Sequence, residues 1–199
     1  MKRIAIFGGT FNPVHKGHTN ALREILKAVD LDEVIIMPAK IPPHKEASDL
    51  ASEQQRLEMC RLAFAEFPQA EVCDYELRRE GKSYSVYTIR HIKELYPEDR
   101  LYFIVGSDML LTFHQWFEYE EILQKCGLIC MSREDGDMAE LEAYAEKLRE
   151  KGEVIIIPAK PFEVSSTQIR DMLEKGLDCS CYLDKNVVQY ITDNNLYEG

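Results

Sequence analysis

Nowhere does this 199-residue chain hold an apolar run close to the roughly twenty residues that cross a bilayer. It also lacks a basic excess: 24 Lys and Arg face 35 Asp and Glu, a formal net charge of −11. A surface that coats DNA or RNA needs the opposite sign. A small anionic ligand needs only a few cations converging on one site, so that class stays open. Six cysteines are present, but none forms a C-x-x-C pair. Cys126 with Cys130 and Cys179 with Cys181 have no histidines at zinc-finger spacing, which argues against structural zinc. Reduced thiols, some in the core, are expected. Internal repeats, low-complexity tracts and linker-like stretches are missing too. Residues 1–199 therefore read as one domain, with 161–199 as a helical C-terminal extension.

At the amino terminus, Lys2-Arg3 precedes Ile4-Ala5-Ile6-Phe7, but Gly8-Gly9 ends the apolar stretch too soon for a signal peptide. This segment reads as a first strand, and the chain is expected to be cytoplasmic. Further apolar runs lie at 34–37, 101–105, 128–131 and 154–157, with a weaker one at 71–75. Several are continuous rather than alternating, as strands buried on both faces of a parallel sheet are. Helical periodicity falls between them. Residues 18–29 align Ala21, Leu22, Ile25, Leu26 and Val29. Residues 52–64 align Leu57, Cys60, Leu62, Ala63 and Phe64, and 87–95 align Ile89, Ile92 and Leu95. A charged, solvated helix is expected over 139–148, and two more at about 166–175 and 185–192. Residues 39–49, with Pro42-Pro43, read as a loop. The alternation gives an open α/β sheet with right-handed crossovers and helices on both faces, and ligands collect at the carboxyl ends of its strands.

The first strand runs into Gly8-Gly9-Thr10-Phe11-Asn12-Pro13-Val14-His15-Lys16-Gly17-His18. Two glycines there let the backbone approach a ligand, and the next helix offers unpaired N–H groups and a positive dipole end for phosphate. The segment is neither a Walker A loop nor G-x-G-x-x-G. His15 and His18, three apart at a helix start, can point at one ligand. A cap with a polar surface pair, a metal site and a phosphate site all use such histidines. A metal would need a third ligand that the nearby sequence does not offer. The glycine context favours phosphate.

Ser165-Ser166-Thr167 with Arg170 places hydroxyls at a helix start and a guanidinium one turn in, which serves as a plain N-cap or as a second phosphate cradle. Gly106 and Asp108 follow the fourth strand, where they form a turn or meet a flat base and sugar hydroxyls. Arg133 follows the fifth strand, as a solvated charge or a ligand cation. His44-Lys45 sits in the proline-stiffened loop. Trp116, the single tryptophan, lies between Phe113-His114 and Phe117 in a cluster of the kind usually found in a core.

His15-Lys16-Gly17-His18 resembles the (H/T)-x-G-H signature of the nucleotidyltransferase superfamily. Neighbouring stretches narrow the resemblance to the bacterial nicotinate-nucleotide adenylyltransferases. They are Pro42-Pro43-His44-Lys45, Ser83-Tyr84-Ser85-Val86-Tyr87-Thr88, Val105-Gly106-Ser107-Asp108, Phe113-His114-Gln115-Trp116, Ser132-Arg133-Glu134 and Ser165-Ser166-Thr167-Gln168-Ile169-Arg170. They occur in family order over nearly the whole chain. Ser107, Phe117 and Val164 depart from the common pattern without removing a phosphate contact. Related phosphopantetheine and glycerol-phosphate transferases share the histidine signature but not these stretches together. A non-catalytic dinucleotide sensor would be expected to lack a signature histidine or Arg170.

The resemblance implies a Rossmann-like fold and transfer of AMP from ATP to nicotinate mononucleotide, with Mg²⁺ on the substrate phosphates. His15, His18 and Arg170 become the catalytic group. The ATP set comprises Gly8, Gly9, Thr10, Phe11, Gly106, Asp108, Ser166 and Thr167. The mononucleotide set comprises His44, Lys45, Ser85, Trp116 and Arg133, with Trp116 on the pyridine ring and Ser85 on its carboxylate. Nucleic-acid and membrane partners are not expected, and self-association into a homo-oligomer stays open.

Overall fold

The runs of Ile, Val, Leu and aromatics form parallel strands in the computed structural model, which describes residues 1–40, 50–132, 138–158 and 164–197. They are β1 Arg3–Gly9, β2 Glu33–Pro38, β3 Ala70–Val72, β4 Arg100–Gly106, β5 Gly127–Met131 and β6 Val154–Ile157. Their order in the sheet is β3-β2-β1-β4-β5-β6. All five neighbouring pairs are parallel. The chain thus winds outward through β2 and β3, then returns to lay β4 on the other side of β1. That reversal creates a topological switch point between β1 and β4. Pairing of β1 with β4 stops at Ile6 opposite Phe103. Each strand continues to pair on its outer side, as far as Gly9 opposite Pro38 and Gly106 opposite Met131. The two central strands therefore part at their carboxyl ends and leave a crevice.

Side chains alternate across each strand and feed two cores. On one face Ala5, Phe7, Val34 and Ile36 meet α1 (Lys16–Ala28), α2 (Glu53–Phe64), α8 (Ser166–Glu174) and α9 (Lys185–Asp193). On the other, Ile4, Ile6, Ile35 and Phe103 meet α4 (Ser85–Leu95), α5 (Ser107–Leu111), α6 (Tyr119–Lys125) and α7 (Met138–Arg149). The helical extension is seated by Ile169, Leu183, Val187 and Ile191 in the first core. None of the described helices is long and apolar enough to cross a membrane.

Three local expectations shift. The run at 71–75 is a strand only over Ala70–Val72, because Tyr75 opens the short helix α3 (Tyr75–Arg78). There the Arg78 amide bonds the Asp74 carbonyl, and the two side chains pair one turn apart, so the chain coils. Leu95 was expected beside Ile89 and Ile92, yet it is 59% exposed while they are buried. Steps of three residues rotate about 60° backward on an α-helix each time, so the last member leaves the sheet-facing side. The charged helix α7 is not wholly solvated: Leu141, Ala145 and Leu148 form a narrow buried stripe.

Candidate active site

Gly8 and Gly9 lie at the parting of β1 from β4. A Cβ on Gly9 would stand 2.8 Å from the Phe11 ring, and one on Gly8 3.3 Å from Phe103. The first contact excludes any side chain unless Phe11 moves. Phe11 has φ of +49°, a conformation that costs an L-residue about 1–2 kcal/mol. Its buried ring meets Phe7 edge-on at 5.7 Å and Phe64 at 6.0 Å, which holds the backbone there. Only the main chain of residue 11 can therefore serve a ligand, and its side chain belongs to the core.

The two histidines converge at the start of α1, their ring centroids 3.9 Å apart. His15 caps the helix, its Nδ1 accepting from the Gly17 amide at 3.1 Å. His18 returns the bond, its Nδ1 accepting from the His15 amide at 3.2 Å. A neutral imidazole that accepts at one nitrogen carries its proton on the other. Both Nε2 atoms are therefore set as donors, as a phosphate requires.

The helix amides are used differently from expectation. The Lys16 amide bonds Tyr182 O at 2.8 Å, Gly17 bonds the His15 ring and His18 bonds His15 O. The opening N–H groups of α1 are thus consumed by its own cap and by the C-terminal segment. The helix amides therefore do not supply the anion donors expected of the first turn of α1. Lys16 also spends its ammonium within the chain, on Ser180 O and Cys181 O.

The second phosphate element docks on the same loop. Ser165 caps α8 in a reciprocal capping box with Gln168. Ser166 donates to Pro13 O at 3.0 Å, and Arg170 Nη1 donates to Asn12 O at 2.9 Å. Arg170 Nη2 reaches the Thr167 hydroxyl at 3.4 Å. Arg170 and the exposed Thr167 are thus brought to the loop that runs into His15. Ser166 is a strut that fixes the loop, its proton committed to Pro13.

Across the switch point, Gly106 ends β4 and caps α5, with Asp108 exposed in that helix's first turn. Ser85 is the first residue of α4. Trp116 is half-buried, edge-on to Phe103 at 6.0 Å and tilted over Phe113 at 5.0 Å. Tyr84 and Phe117, the neighbours of Ser85 and Trp116, meet at 5.0 Å, so these two elements lie together. Core packing and partial exposure coexist in Trp116. His44, Lys45 and Arg133 lie outside the described residues.

Three residues not singled out in the sequence also shape this region. Arg56 is buried beneath it, and Asn12 receives Tyr197 OH on Oδ1 at 2.7 Å. Glu76 is buried and accepts from Thr88, while the Ser83 hydroxyl also hydrogen-bonds to it. Burial pushes the Glu76 carboxyl above its usual range, against the two hydroxyls. Ser83 in turn accepts from the Lys40 amide at 3.2 Å. A legible signal existed for Arg56: it occupies the stripe of α2 that continues through Cys60, Ala63 and Phe64.

Glycine-lined parting strands with a donor pair beside them place this molecule in the class of Rossmann-like nucleotide-binding proteins. The sequence profile of the cytidylyltransferase-like family matches residues 6–172. A probable nicotinate-nucleotide adenylyltransferase of Carboxydothermus hydrogenoformans is 40% identical, over 98% of both chains. Its namesake in Shewanella woodyi is 37% identical, over 98% of this chain and 99% of that one. Among solved structures, Plasmodium falciparum nicotinic acid mononucleotide adenylyltransferase complexed with NaAD has the same fold, with a TM-score of 0.80 at 22% identity. It covers 99% of this chain and 98% of that one. The chain belongs to the cytidylyltransferase-like family and, within it, to the nicotinate-nucleotide adenylyltransferases.

Proposed function

We propose that this protein transfers AMP from ATP to nicotinate mononucleotide, giving nicotinate adenine dinucleotide and pyrophosphate. The observation that carries the reading is one loop, residues 10–15, held between β1, α1 and α8. It carries His15, which pairs with His18 in the cap of α1, and its Asn12 carbonyl anchors the Arg170 guanidinium. The full-length relatives named for this reaction support it.

The mononucleotide phosphate oxygen attacks the α-phosphorus of ATP in line, the bond to the bridging oxygen breaks, and pyrophosphate leaves. Such a reaction depends on positioning and charge neutralisation more than on a covalent nucleophile. In this scheme His15 and His18 donate to the α- and β-phosphate region, and their bonds strengthen as charge moves to the leaving group. Arg170 and Thr167 hold the pyrophosphate portion, with Ser166 fixing the loop they stand on. The backbone of residues 8–11 lines the nucleotide's path. Gly106 and Asp108 face base and ribose. Trp116 covers the pyridine ring and Ser85 meets its carboxylate, with His44, Lys45 and Arg133 completing the mononucleotide side.

No group of three metal-ligating side chains occurs among the described residues. Donors and cations of this kind fit an ion carried on substrate phosphates, since Mg²⁺ keeps several waters and binds few protein groups. When bound, it supplies charge neutralisation to the triphosphate. One domain spanning residues 1–199 is part of the same reading, supported by the core that α8 and α9 share with α1 and α2. A cytoplasmic setting fits six cysteines that form no disulfide.

Steady-state pyrophosphate release with ATP and magnesium tests the proposal, comparing nicotinate with nicotinamide mononucleotide. A preference for the nicotinate form is expected. Equal use of both would overturn the acceptor, and no turnover with either would overturn the reaction.

A further inference from the structure

We propose that Arg56 is a positioning residue that holds the ATP-side and mononucleotide-side loops in one register; this rests on the two-substrate reading above. Arg56 is only 1% exposed and is among the largest fully buried side chains of the described residues. Its Nη1 donates to Thr10 O and to Ala39 O, both at 2.7 Å. Its Nη2 reaches Lys40 O and its Nε reaches Ala51 O, both at 3.3 Å. Thr10 belongs to the loop after β1, and Ala39 and Lys40 to the segment after β2. One guanidinium nitrogen therefore bridges the exits of two adjacent strands.

These four acceptors are all neutral carbonyls. Burial lowers the guanidinium's proton affinity, yet the group stays cationic, as arginine does in proteins. A buried cation with no bonded carboxylate among the described residues is an expensive way to fill space, because desolvation outweighs what packing needs. Its particular capacity is to fix several carbonyls in one plane.

Fixing a carbonyl fixes the amide behind it. The Thr10–Phe11 peptide is planar and trans, so with Thr10 O turned toward Arg56 the Phe11 N–H points away from it. The same applies to Ala39 O and the Lys40 N–H, which meets Ser83 on the far side at 3.2 Å. Ala51 extends the frame: its carbonyl takes Arg56, and its amide donates to Asn12 Oδ1 at 2.9 Å. Asn12 is the residue whose carbonyl anchors Arg170. The clamp thus reaches both the loop that carries the phosphate donors and the one that leads into residues 41–49.

The test uses Arg56→Lys and Arg56→Met in the full chain, with melting curves to establish folding. ATP affinity is measured by calorimetry, and kcat and both KM values by pyrophosphate release. KM for each substrate and the ATP Kd should rise about tenfold in Arg56→Met. Its kcat should fall about 100-fold, the cost of a small misplacement. Arg56→Lys, with the charge but not the fork, should recover only part. A lower melting temperature with unchanged KM and Kd would overturn the proposal, as would failure of both variants to fold. A shift in one KM alone would also overturn it. Should the wild type bind ATP yet turn over neither mononucleotide, the reaction reading fails, and the ATP Kd of the variants still decides the Arg56 clamp.

Discussion

Because His18 Nδ1 caps the His15 amide while Nε2 is set as a donor, substituting it removes two things at once. His18→Ala should lower kcat by about 10²–10³, the loss seen for one transition-state donor. It should also cost about 0.5–2 kcal/mol of stability through the missing cap. His18→Asn keeps an acceptor near the helix start, so melting temperature should recover while kcat does not. If both recover together, the ring acts only as a cap. Glu76 offers a signed pH effect. Its folded pKa is raised above the reference 4.5, so its contribution is full below the ordinary glutamate range. That contribution is lost as pH climbs through the raised value. Denaturation of the wild type and Glu76→Gln at about pH 4 and about pH 8 should show the variant gaining relative stability at the higher pH. An advantage that shrinks with pH would contradict the burial argument.

At the scale of elements, α8 matters through where it docks. Ser166→Ala removes the bond to Pro13 O and should cost about 1 kcal/mol. It should raise KM for ATP more than KM for the mononucleotide; the reverse would place α8 on the other substrate's side. Tyr197→Phe deletes the hydroxyl on Asn12 and should cost about 0.5–1.5 kcal/mol in chemical denaturation. Elements differed in how well the sequence announced them. Continuous apolar runs placed β1, β2, β4, β5 and β6 within a residue or two. The helices α5 and α6, at five and seven residues, are too short for a 3.6-residue period to register. The opening amides of α1 looked available for phosphate in the sequence. Tyr182, from the far end of the chain, by lending its carbonyl, together with the His15 ring decided otherwise.

For the whole molecule, the two cores make a test of native packing by thiol labelling. Cys181 is exposed and should react first with a water-soluble alkylating reagent, and half-buried Cys73 next. Cys60, Cys126, Cys130 and Cys179 are buried and should label only on unfolding; burial pushes the Cys126 thiol up to about 12. Mass spectrometry of the native protein showing equal labelling at Cys126 and Cys181 would contradict the second core. By itself the sequence determined the parallel α/β class, the glycine turn, the histidine pair and Arg170, because each depends on period or on neighbours along the chain. Only the tertiary structure decided that strands β1 and β4 part beyond Ile6 and Phe103, and that Arg56 faces carbonyls of two loops. Those are properties of groups far apart in sequence, brought within hydrogen-bonding distance by packing on the sheet, and no local pattern encodes such a distance.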